Sequence, residues 1–138
     1  MVEQISALVV CNSGEAFGEL TRALESLGIA VTHARNSHEA SRLLKSQMGI
    51  DVVFAGSDLP DGGWADVLGL AQQIRNYLPV IVVSRIVDVG LYIETIGRGA
   101  FDFVTPPFLT SELAHVIRSA IYKKLVSVKQ DMTARPAV

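Results

Sequence analysis

The residues that could do chemistry are few and scattered. They are the only cysteine, Cys11, the carboxylates Asp58 and Asp61, the hydroxyl of Ser84 and the guanidinium of Arg85. A thiol or hydroxyl nucleophile needs a base within hydrogen-bond reach, and acid–base chemistry needs a histidine or paired carboxylates. The histidines are badly placed for this. His33 falls at the end of an edge-side strand, and His38 and His115 fall in helices. No Cys–His pair is expected, and Cys11 reads as an inert buried thiol. Asp58 and Asp61 offer oxygen ligands for a divalent cation. Asp61-Gly62 reads more simply as a turn, with Asp bonding locally and Gly allowing positive φ. Arg85 beside Ser84 could hold an anion. Phosphate loops are missing: there is no G-x-x-x-x-G-K-[ST], and Asn12 to Gly18 lacks the G-x-G-x-x-G spacing. No metal and no cofactor is expected.

The composition narrows the classes further. The chain has 138 residues, 49% hydrophobic and 19% charged, which is one ordinary domain and not a disordered segment. No apolar run approaches the ~20 residues of a membrane helix. The first residues lack the basic stretch and long apolar core of a secretory signal. Lys plus Arg is 12 and Asp plus Glu is 14, so the net charge of −2 gives no nucleic-acid footprint. The late basic residues, among them Arg118, Lys123 and Lys124, read as a solvated helix face or exit linker. A single cysteine cannot form an internal disulfide, which fits a cytoplasmic protein.

The elements that must position these residues follow from periodicity. Short β-rich runs at Ile5–Val10, Ala30–His33, Val52–Ala55, Val80–Val83 and Phe101–Val104 predict strands. Between them the apolar period becomes helical. The stripes are Phe17, Leu20, Leu24 and Leu27; Ala40, Leu43 and Leu44; Val67, Leu70, Ala71, Ile74 and Leu78; Val89, Ile93 and Ile96; and Leu113, Val116, Ile117 and Ala120. Asn12 with Glu15 and Asn36 with Glu39 have capping-box spacing, and Gly28 and Gly99 sit where helices should end. Five βα units in a row predict a single doubly wound α/β domain with a five-stranded parallel sheet. Ligand chemistry in such a fold belongs at the carboxyl ends of the strands.

The residues at those ends carry a family resemblance. Asp51 to Gly62, reading D-V-V-F-A-G-S-D-L-P-D-G, is similar to the third strand and following loop of response-regulator receiver domains. Gly99 to Phe108, reading G-A-F-D-F-V-T-P-P-F, resembles that family's fifth-strand motif, and Ala7 to Val10 fits its first strand. The resemblance runs from about residue 4 to about residue 124. It implies a (βα)5, flavodoxin-like receiver domain over 1–124, with 125–138 as helix extension, linker or tail.

The departures from the family matter as much. The resemblance puts Cys11 and Asn12 where the family has its Mg²⁺-holding acids, Gly56 at the phosphoacceptor aspartate and Pro106 at the family's lysine after the fifth strand. Ser84 alone keeps the family's hydroxyl, and Arg85 follows it in place of a small residue. Gly56 has no side chain to phosphorylate, Cys11 and Asn12 offer no carboxylate pair, and Pro106 has no ammonium. The expectation is a pseudo-receiver: a non-enzymatic, phosphorylation-independent interaction module in two-component signalling or transcription control. Arg85 is expected either to cross the vacated pocket to Asp58 or to lie in solvent. The family's partner surface implies a protein partner or second copy at the fourth helix, fifth strand and fifth helix. There Leu91 should point outward beside Tyr92 and Phe103. The alternatives are an anion-binding domain using Arg85 and Ser84, and a residual phosphoacceptor at Asp58.

Overall fold

The computed structural model describes residues 4–12, 14–46, 49–59, 63–74 and 78–134. Five strands alternate with five helices: β1 (Ser6–Val10), α1 (Glu15–Ser26), β2 (Ala30–Ala34), α2 (Ser37–Ser46), β3 (Val52–Gly56), α3 (Trp64–Ile74), β4 (Val80–Val83), α4 (Val89–Gly97), β5 (Asp102–Val104) and α5 (Thr110–Ala134). The strands form one sheet in the order β2-β1-β3-β4-β5, and every neighbouring pair is parallel.

The sheet explains the sequence pattern. β1, β3 and β4 lie in the middle and are buried on both faces, apart from half-buried Ser6 at the start of β1. This is why they read as continuous apolar runs. Alternate residues feed separate cores. Leu8, Val10, Val53, Ala55, Val80 and Val82 pack with α2 and α3, through Leu44, Val67 and Ala71. Ala7, Val9, Val52, Phe54, Ile81 and Val83 pack with α1 and α5, through Leu20, Leu24, Leu113 and Ile117. Gly28 and Gly99 have φ of 79° and 105°, the left-handed conformation that ends α1 and α4.

Two expectations need correction. The start of α1 is capped by Gly14, with no side-chain hydrogen bond, and not by an Asn12–Glu15 box. The second expected cap does form, as the Glu39 N–H donates to Asn36 Oδ1 at 2.8 Å. The larger correction concerns α4. Val89 and Ile93 are 67% and 64% exposed, and Ile96 is exposed as well. The inward face instead carries Thr95, fully buried, and Leu91, which packs against the α2/α3-side core. Residues two apart on a helix point about 200° apart, so two apolar stripes on one short helix exclude each other as core faces. Thr95 is accepted inside because its hydroxyl donates to the Tyr92 carbonyl at 2.9 Å.

Candidate functional site at the strand ends

The parallel register brings the carboxyl ends of β1, β3 and β4 side by side. Val10 is level with Ala55, and Gly56 is level with Val83. Cys11 and Gly56 therefore occupy adjoining positions, with Ser84 one residue further on. This is the edge at which the chain order reverses between β1 and β3, where open α/β sheets place their sites.

Cys11 is 1% exposed, and its N–H donates to the Ala34 carbonyl at 2.9 Å. Its Sγ lies 3.1 Å from Nε2 of His33. The expected absence of a Cys–His pair is thus overturned. β1 and β2 run parallel with Val9 opposite His33, so the two carboxyl ends are neighbours in space. Burial pushes the thiol up to about 12, so at neutral pH it holds its proton. Nε2 of His33 also lies 3.3 Å from the Cys11 carbonyl oxygen, so the imidazole meets both the side chain and the backbone of Cys11. This contact joins two strand ends, but a protonated thiol is a poor nucleophile.

Gly56 is buried at the end of β3, and the Phe17 ring from α1 lies over it. The Phe17 stripe was legible as helix, but its proximity to β3 was not. Ser84 is 4% exposed. Its hydroxyl oxygen accepts from the Ile86 N–H at 3.3 Å, which stabilises the turn leaving β4. Arg85 reaches Asp58 at 3.6 Å, yet the two side chains are 71% and 75% exposed. Such a pair is worth ~0–1 kcal/mol. Asp88 caps α4 by accepting from the Leu91 N–H at 3.0 Å. Together Ser57, Asp58, Ser84, Arg85, Asp88 and their neighbours line an open groove of about 500 Å³. Among the described residues the lining carries two carboxylates, Asp58 and Asp88, and one guanidinium, Arg85. Asp61 lies outside the described residues.

On the far side, half-buried Pro106 precedes Pro107 through a cis peptide bond. Phe103 meets Tyr92 edge to face, with centroids 5.9 Å apart. Trp64 is 6% exposed in the α2/α3-side core, with the Arg98 guanidinium 5.7 Å from its ring centre. No group of three or more His, Cys, Asp or Glu side chains able to hold a metal occurs among the described residues. No helix there is long and apolar enough to cross a membrane.

The model of the response regulator receiver domain matches residues 8–118. The chain belongs to the response regulator receiver family. It is 28% identical over 115 residues to the response regulator protein PilR of Pseudomonas aeruginosa, covering 83% of this chain and 26% of that protein. It is 30% identical over 105 residues to the DNA-binding transcriptional regulator NtrC of Salmonella typhimurium, covering 74% and 22%. This receiver chain thus spans about a quarter of the length of the relatives it matches. Among solved structures it resembles a response regulator receiver domain protein from Clostridium thermocellum. There the TM-score is 0.79 at 25% identity, over 88% of this chain and 98% of that one. As a receiver, the chain is a module of two-component signalling.

Proposed function

We propose that this receiver acts without phosphorylation, as a standing interaction module in a cytoplasmic signalling or transcription-control protein. The observation that carries this reading is Gly56: the strand that should present a phosphoacceptor ends in a residue with no side chain. Its neighbours do not compensate. Cys11 is an uncharged thiol, Asn12 is an amide and Pro106 has no ammonium to neutralise transferred charge. The role is regulatory and not catalytic. The anion-binding alternative is weaker, because Asp58 and Asp88 outnumber Arg85 in the groove.

Without a phosphoryl ligand there is nothing to favour one state over another, so activity should come from a fixed surface. The β4–α4 turn and the outer face of α4 supply one. Ile86 is 65% exposed, Val87 81%, and Val89, Tyr92 and Ile93 continue the patch. Contiguous apolar surface ringed by polar groups is the usual centre of an interface. The partner is a protein or a second copy, not nucleic acid. Incubation with acetyl phosphate and Mg²⁺, read by intact mass, should leave the chain unmodified. A phosphoryl group found on Asp58 would overturn the reading in favour of a displaced phosphoacceptor.

A further inference from the structure

The end of β3 is occupied as well as bare. A Cβ built on Gly56 would lie 2.8 Å from Cζ of Phe17, 3.3 Å from its Cε1 and 3.4 Å from the Val10 carbonyl oxygen. The first distance is shorter than packed carbon atoms adopt, since optimal carbon contacts are about 3.5–4.0 Å. An aspartate would add a carboxylate beyond that Cβ. From a strand end walled by Val10 and Phe17, the added atoms would have to displace the ring or be turned away by it.

Phe17 is carried to this position by α1. It stands in the first turn of α1 and is half-buried against the α1/α5-side core. Cys11, joined to His33, lines the same cavity of about 300 Å³ as Phe17, with Gly14, Gly18 and Thr21. That cavity lies beside the ring.

We infer that Phe17 is a resident plug: its ring takes the space that a phosphoacceptor side chain would need, and Gly56 is the residue that lets it sit there. This rests on the reading of the chain as a phosphorylation-independent receiver and extends it. A side chain at position 56 and the Phe17 ring in its present place exclude each other, so an added side chain there requires the ring to move.

Two measurements test this on the whole chain. The first is NMR of the wild type. Phe17 ring protons should give cross-relaxation to the Gly56 α protons, which should be shifted upfield by the ring; absence of both overturns the plug. The second is a cycle of Gly56→Ala, Phe17→Ala and the double variant, read as urea midpoints. Gly56→Ala should lower the midpoint in the wild-type background and lower it by less than half as much when Phe17 is Ala. An equal drop in both backgrounds, or no drop in the first, overturns the proposal. Failure of phosphorylation independence is read separately, as phosphoryl uptake by the wild type, and would leave these two results unaffected.

Discussion

Cys11 and His33 meet at 3.1 Å, thiol to imidazole, although 22 residues separate them in the chain. The contact ties β1 to β2 at the edge of the candidate site. The thiol keeps its proton there, because burial disfavours the thiolate.

The thiol therefore links stability to pH. Burial moves it from an ordinary 9.0 to about 12. Between those values the unfolded chain releases a proton that the folded chain keeps. The stabilisation is whole below pH 9.0 and falls as pH rises towards about 12. Urea midpoints across that range should fall more steeply in the wild type than in Cys11→Ala. Parallel slopes for the two proteins would remove the linkage. In the same protein, alkylation of Cys11 at neutral pH should be slow until the chain is unfolded.

The two faces of α4 should separate in mutagenesis. Leu91→Ala removes a side chain packed on the core and should lower stability by about 2 kcal/mol, the low end for leucine because Leu91 is only half-buried. Val89→Ser with Ile93→Ser touches only exposed positions and should change stability by less than about 0.5 kcal/mol. That double variant should weaken self-association or partner capture, read by sedimentation and pull-down. If it leaves both unchanged while Leu91→Ala abolishes them, the outer face is not the working surface.

The Arg85–Asp58 pair should matter little to the fold. Both side chains are largely exposed, so a double-mutant cycle with Arg85→Ala and Asp58→Ala should give a coupling below about 1 kcal/mol, shrinking with added salt. A salt-insensitive coupling well above that would mean that the pair is buried in solution by a partner or second copy.

Gly99 should resist substitution. Its φ is 105°, and an added Cβ would stand 2.9 Å from Nε2 of Gln72 on α3. Gly99→Ala should destabilise by about 1 kcal/mol or more, since it adds backbone strain to a close contact. Ala at Gly97, which has open space around it and lies within α4, should instead be neutral or stabilising. Thermal unfolding of the two variants side by side distinguishes the cases.

The alternation of five short apolar runs with helical stripes was enough to specify a doubly wound sheet. Strand burial and helix amphipathicity are local patterns with distinct periods. β4 begins and ends at the residues that the pattern marks, and Gly28 and Gly99 end helices as their lack of a Cβ allows. The identity of the residues at the strand ends was also legible, since chain order alone says which residue follows which strand. Their companions were not. Cys11 meets His33, and Phe17 covers Gly56, because parallel neighbours and an overlying helix bring distant segments together, and periodicity holds no record of that. The inward face of α4 was undetermined for a related reason. Val89-Ile93 and Leu91-Thr95 are equally helical in spacing, and the choice fell to whichever side found the sheet. Local pattern specifies that an element has a face to bury; only the packed neighbours specify which face, and which side chains meet across it.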